Sequence, residues 1–515
     1  MIMRRLSPLL PFNDDETPMS WAARQAAFHT GGRVNNFLND LGVPIMDLAR
    51  GNESATSRLC EIAGQDPAPV LWNTISSVGK RLQKLRGEEF ATEFTTGAVT
   101  RVCPSCLAED MAEHSYPNEA LRHRLIWRLA PVRTCGTHGV ALRDLRKGTW
   151  DDGAHELQSM RGAIEDEMKR HMDPRPRAVS PLQDYVIKRL EGHDGPAWLD
   201  GQRIDQAVRA TEMLGALMAF GAEQTASSMS ETMWDDAGRA GWPLVVKGEE
   251  AVRDHLVIRI EEQGKGKGGA SPRKAYGMLY SWLSASRLSK DPGPIRSVLR
   301  GVILDNTPMV LGHMLLGEPV ARPKLTRVSS IAAAEGMHSS TAVNVLRAAG
   351  LIASEGAGRD ELVVDYLSAK QLIDRVKHAV PVIQVPDMMN TSRPIVAALI
   401  ELKLLKRVQE QPHLESKIGK AVDGRDIRNL LRWLEEQFEA VEVVPEEYVS
   451  IAKTAERCRA KAGAILELLF GGYLKNVLRD SSEIGLNAVR IDPQELDSLL
   501  ASPPESVSEA VRFLM

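Results

Sequence analysis

A chain of 515 residues with 43% apolar content is too long for one ordinary hydrophobic core, and roughly three or four domains are expected. Aromatics are scarce at 5%, and long runs rich in Ala, Leu, Arg and Glu carry apolar residues at helical spacing, so the expected fold is mainly α and multidomain. A formal net charge of −4 excludes a uniformly basic nucleic-acid coat but leaves room for one DNA-contacting domain among neutral or acidic ones.

In chain order, the amino terminus reaches acids and a proline before any apolar stretch long enough for a signal peptide. No segment approaches the ~20 apolar residues needed to span a bilayer, so a cytoplasmic protein with no membrane partner is expected. Residues 1–150 read as the first domain. Its first helix should start at Thr17, a side chain able to cap exposed amides, with Pro18 in the first turn. The polar, proline-containing stretch from about 150 to Pro181 reads as a connector. Helical patterns resume over 181–318, with Ile204, Val208, Leu214, Leu217 and Met218 on one side. Within them GKGKGGASPRK at 264–274 reads as a mobile basic loop that fails the P-loop spacing.

After Pro319 and Pro323, Val328–Leu351 reads VSSIAAAEGMHSSTAVNVLRAAGL, and a looser copy runs from Val449 to Leu474. Downstream, VVDYLSAKQL at 363–372 corresponds to VRIDPQEL at 489–496. Two related modules are expected, 324–390 and 446–515, separated by a helical connector over 391–445. In the first copy a helix to Glu335, a turn at Gly336 and a second helix capped by Ser339 have helix-turn-helix proportions. Ile331, Val343, Leu346 and Leu351 should pack inward, which leaves Ser340, Thr341, Asn344 and Arg347 outward as candidate contacts to DNA. In the second copy Arg457, Arg459 and Lys461 fall around the turn and can meet backbone phosphates. Two further basic clusters, Lys80-Arg81-Lys84-Arg86 and Arg122-Arg124-Arg128, are second-line phosphate candidates.

The strongest chemical signal is Cys103-Pro-Ser-Cys106, followed after 28 residues by Cys135-Gly-Thr-His138. Each knuckle turns two side chains toward one point, and three thiolates with one imidazole suit tetrahedral Zn²⁺. Four protein ligands leave no position for water, so the zinc is expected to be structural rather than catalytic. His114 and His123 lie between the knuckles without a partner at that spacing, and Cys60 and Cys458 read as free thiols. With no HExxH, P-loop or GxSxG motif, no enzymatic activity is expected.

LLPFNDDETPMSWAAR at 9–24, CPSCLAED at 103–110, Trp127 and PVRTCGTHGVAL at 131–142 together resemble the TniQ family over about the first 145 residues. The resemblance implies a target-site selection factor in DNA transposition that recruits the transposon's AAA+ ATPase and, through it, the transposase. The long carboxyl-terminal region resembles TnsD-like members, which bind double-stranded DNA themselves. Two other readings stay open: a zinc-containing helix-turn-helix transcription regulator, and an adaptor docking on an RNA-guided complex without reading DNA. Whether the chain acts as a monomer or a homodimer also stays open.

Overall fold

The computed structural model describes residues 5–112, 116–145, 154–170, 175–264, 271–285, 291–352, 362–408 and 420–502. It is mainly α with a few small sheets. The chain divides into two compact units, residues 1–307 with 313–319, and residues 308–312 with 320–515.

The first unit opens with α1 (Pro18–Thr30), whose N-cap Thr17 hydroxyl accepts from the Ser20 amide at 3.1 Å, with Pro18 in the first turn. With α2 (Val34–Asp40), α3 (Ile45–Ala49), α4 (Glu53–Ala63) and α5 (Pro67–Trp72) it encloses a core of Trp21, Phe37, Leu38, Leu48 and Leu59. An antiparallel sheet follows in the order β1 (Ser76–Gly79), β2 (Leu82–Leu85), β3 (Glu88–Ala91). Then β4 (Thr100–Val102) leads into α6 (Pro104–Ala112) and α7 (Pro117–Ala120), and the chain returns as β5 (Arg143–Leu145), antiparallel to β4.

Part of the stretch from 150 to 181, expected as a connector, is packed into a core. Leu157 and Met160 in a short 3₁₀ turn, and Ile164 in α8 (Arg161–Arg170), are buried in the same core as Cys103, Leu107 and Trp127. Their three- and four-residue spacing is a helix face that the surrounding charge obscures.

The segment after it, α9 (Pro181–Leu190), α10 (Ala197–Asp200), α11 (Ile204–Phe220), α12 (Glu231–Val245), α13 (Glu249–Gly264), α14 (Pro272–Ser284) and α15 (Ile295–Asn306), joins this unit rather than standing apart. Of the apolar residues read on α11, Ile204, Val208, Leu214 and Leu217 are buried, while Met218 is exposed. Two glycines set the approach of α11 and α12: a Cβ on Gly215 would run into the Ala237 carbonyl, and one on Gly241 into the Thr211 carbonyl. Only residues without side chains let the backbones come this close. A small hairpin, β6 (Met314–Leu315) with β7 (Glu318–Pro319), ends the unit. The glycine-rich loop lies mostly outside the described residues, at 265–270.

The second unit is built from three copies of one motif, strand, two helices, strand, helix. The first is β8 (Leu325–Arg327), α16 (Val328–Ala334), α17 (Ser339–Ala348), β9 (Val363–Asp365) and α18 (Tyr366–Lys377). The second is β10 (Ala379–Pro381), α19 (Val385–Met388), α20 (Arg393–Glu401), β11 (Ala421–Asp423) and α21 (Gly424–Gln437). After the short β12 (Ala440–Val441) comes the third: β13 (Val449–Ser450), α22 (Ile451–Arg457), α23 (Ala462–Phe470), an added β14 (Val477–Asp480), β15 (Val489–Ile491) and α24 (Pro493–Ala501). The framing strands pair antiparallel in each copy, β8 with β9, β10 with β11 and β13 with β15.

The copies agree in backbone detail. Gly336, Asn390 and Arg459, each two residues past the first helix, all have left-handed φ of 64°, 44° and 49°. The next amide bonds back five residues each time: Met337 to Ala332 (2.8 Å), Thr391 to Pro386 (2.9 Å) and Ala460 to Ala455 (3.0 Å). This is the closing bond of a Schellman turn. Past the second helix Gly350, Lys403 and Gly472 are again left-handed. Asp365, Asp423 and Asp492 cap the third helix by accepting from the amides of Ser368, Arg425 and Gln494 at 2.8, 2.9 and 2.9 Å.

The expectation of two modules and a connector over 391–445 is therefore corrected. The boundary at 390 falls inside the turn of a middle copy that spans Ala379–Gln437.

Candidate functional site

The four knuckle residues converge at the junction of β4 and α6. Cys103 follows β4 directly and Cys106 lies in the first turn of α6. Cys135 and His138 sit in a tight hairpin: the Cys135 amide donates to Val140 carbonyl (2.8 Å), that of Gly139 to Cys135 carbonyl (2.9 Å), and Gly139 has φ 58°. A left-handed residue there turns the chain back after His138, which favours glycine.

Cys106 Sγ lies 3.5 Å from Cys135 Sγ, and His138 Nδ1 lies 3.7, 3.2 and 3.6 Å from the sulfurs of Cys103, Cys106 and Cys135. A tetrahedron with metal–sulfur bonds of about 2.3 Å and a metal–nitrogen bond of about 2.0 Å has edges of about 3.5–3.8 Å, so the donors are spaced to hold one ion. The three cysteines are buried and His138 is half-buried. Crowding splits their acidities: hydrogen bonds from Cys103 and Cys106 pull the Cys135 thiol down, while those involving Cys103 and Cys135 push Cys106 up. A bound cation would offset the mutual repulsion of several thiolates. Four groups of this kind could hold a metal ion, and they close its coordination shell.

Outside that ring, His138 Nε2 is 2.9 Å from Glu109 Oε1. Glu109 is not part of either knuckle, but it stands three residues after Cys106, where a helix brings it to the same side. The next residue, Asp110, is 4% exposed and accepts from Arg124 at 2.6 and 2.9 Å and from Arg122 at 3.0 Å. Arg124 also lies over the Trp127 ring at 4.9 Å. Burial pulls the Arg128 pKa down to about 10. Arg122 and Arg124 are thus committed to Asp110, 12–14 residues upstream, and all three arginines of this cluster are only half-exposed. In the other cluster Arg81 pairs with Glu93 at 2.9 Å and Arg86 donates to Asn73 at 2.7 Å.

His123 is not a ligand in this arrangement. Its ring is 1% exposed, stacks on His155 with centroids 5.3 Å apart, and has Nε2 3.0 Å from the Arg101 carbonyl. His114 lies outside the described residues, Cys60 is buried and Cys458 half-buried.

The Ser-Trp segment fastens α1 to this lobe. The Ser20 hydroxyl accepts from His123 amide (2.8 Å), Trp21 Nε1 donates to Leu10 carbonyl (2.9 Å), and Arg24 bridges buried Glu16 (2.9 Å) and the Glu119 carbonyl (2.8 Å). On the other side, the Gln183 amide group binds the backbone beside Cys135, accepting from Arg133 and Thr134 at 3.0 Å and donating to Thr134 carbonyl at 2.7 Å. Arg133 pairs there with Glu212 at 2.8 Å and Glu231 at 2.9 Å. Residues 8–142 match the family model described as TniQ.

This chain carries a TniQ domain. No curated protein matches the sequence. The TniQ match covers the Ser-Trp segment, the sheet β1–β3 and both knuckles, and it fits a protein associated with transposition. Beyond the TniQ domain, Thr341, Asn344 and Arg347 are exposed along α17, while Ser340 is half-buried with its hydroxyl 2.7 Å from His338 Nδ1. His338, not Ser339, is the N-cap of α17, and the preceding helix ends at Ala334. Arg457 at the end of α22, Arg459 in the turn and Lys461 at the N-cap of α23 are all exposed. No helix among the described residues is long and apolar enough to cross a membrane.

Proposed function

We propose that this protein selects target sites for a DNA transposon. In this reading the TniQ domain, held together by one structural Zn²⁺ on Cys103, Cys106, Cys135 and His138, recruits the element's AAA+ ATPase and through it the transposase. The second unit binds double-stranded DNA. The chain itself performs no catalysis and works in the cytoplasm as a bridge between target and ATPase.

The observation that supports this reading most is the exposed stripe on α17 in a chain that carries a TniQ domain. Thr341, Asn344 and Arg347 follow one another at three-residue spacing on the second helix of a pair joined by a four-residue turn. Helix-turn-helix modules place that helix in the major groove, and Asn and Arg there make bidentate contacts to adenine and guanine. Ser340 would sit near the phosphates, and Arg457, Arg459 and Lys461 would meet the backbone without reading sequence.

The test is a selection of bound fragments from a genomic duplex library at two salt concentrations. Enrichment of one site, kept as salt rises while non-specific binding falls, supports direct targeting. With no fragment enriched at either salt, an adaptor docking on an RNA-guided complex takes its place.

A further inference from the structure

We infer that base reading is confined to the first repeat, and that the second and third repeats form a fused internal pair that can touch DNA only along its backbone. This rests on the duplex-binding reading above and narrows it to one helix.

The three repeats share a backbone but not a free second helix. In the first, α17 packs against α16 and α18, and the repeat has a core of its own from Val328 to Ile373. Its outward positions carry Thr341, Asn344 and Arg347, a hydroxyl, an amide and a guanidinium. In the other two, α20 and α23 pack against each other, and Ile395, Val396 and Leu399 share one core with Ile465, Leu466, Leu469 and Phe470. What remains exposed on α20 is Arg393, Pro394, Ala397 and Glu401. The only polar side chain on α23 is Glu467, in the sequence AGAILELLF. A helix that enters a groove must offer donors and acceptors to base edges, and these two offer apolar side chains to each other instead.

The turn of the second repeat is closed as well. The Leu486 amide donates to Met389 carbonyl at 2.9 Å, the Asn487 amide to Asn390 carbonyl at 3.1 Å, and the Asn390 side-chain amide to Ile484 carbonyl at 3.0 Å. A loop of the third repeat therefore occupies the place where the second would approach DNA. Gly485 lies so near the Met389 carbonyl that a Cβ would collide with it. Just after the second copy, β12 pairs parallel with β14 of the third. Freeing α20 or α23 would expose the shared apolar core to water, a larger loss than a base contact returns. Arg457, Arg459 and Lys461 stay accessible on the rim, where they can meet phosphates.

The experiment uses the full chain and the site it selects from the fragment library. Asn344→Ala and Arg347→Ala should each reduce discrimination between that site and a scrambled duplex by about 5- to 150-fold. Arg393→Ala and Glu467→Gln should leave it within about twofold, and base-specific protection should fall in one stretch of major groove. Loss of discrimination in Arg393→Ala or Glu467→Gln with non-specific affinity kept, or two protected stretches one helical turn apart, would overturn the division among repeats. A wild-type chain that enriches no site would instead remove the duplex-binding reading on which it stands.

Discussion

Glu109 holds the outer nitrogen of His138 at 2.9 Å while the inner nitrogen of the same ring faces three cysteine sulfurs. A carboxylate in that position fixes the tautomer with Nδ1 free to ligate and raises the basicity of the ligand. Although burial works against it, the contacts of the His138 ring with Glu109 and with the Cys135 sulfur raise its pKa above the ordinary value.

The purified chain should hold about one zinc, and Glu109→Gln should weaken zinc binding by about 10- to 100-fold without changing the stoichiometry at saturation. Competition against a chromophoric chelator reads both. Unchanged affinity in Glu109→Gln would make the contact incidental. Cys103→Ser or Cys135→Ser that folded as stably as the wild type would remove the structural role of the metal.

Burial pushes the His123 pKa down to about 3, with the positive charge of Arg128 acting in the same direction. The folded state therefore keeps this ring neutral while the unfolded chain protonates near pH 6.5. Stability from His123 is present above pH 6.5 and is lost as pH falls from there toward 3. Between pH 7.5 and 5.5 the wild type should lose about 1 kcal/mol more stability than His123→Gln, measured by denaturant unfolding at each pH. Equal losses in the two proteins would show that the ring titrates normally.

Arg459 takes the left-handed conformation that glycine provides at the matching Gly336. A non-glycine side chain costs about 1 kcal/mol there, so Arg459→Gly should raise the stability of the carboxyl-terminal unit by roughly 0.5–1 kcal/mol. Gly336→Arg should lower it by a similar amount. Thermal melting of the two variants checks the structural equivalence of the turns. A destabilised Arg459→Gly would mean that the two turns are not built alike.

The metal site was legible because its information is local: four ligands in two knuckles announce one ion whatever folds between them. Glu109 was within reach of the same logic, since the helix that begins at Pro104 carries it. The middle repeat was not legible. Its marks are conformational, a left-handed residue after each helix, and the residues there are Asn390 and Lys403 where the first repeat has Gly336 and Gly350. The first and third repeats showed because both spell a strand-to-helix entry rich in Val, Ser and Ala, where the second reads through Pro381 and Pro386. Arg122 and Arg124 read as second-line phosphate candidates because sequence does not show that Asp110 and Asp15 fold against them.

Target selection by this chain, as proposed, is measured directly by an insertion profile. The element's transposase and AAA+ ATPase, supplied with transposon ends and a genomic DNA pool, are sequenced for insertion points with and without the full chain. Without it, insertions should scatter. With it, they concentrate at a fixed distance from the site the second unit binds, and Arg347→Ala disperses them again. The same scattered profile in the presence of the chain, under conditions where it binds that site, would show that it does not select the target.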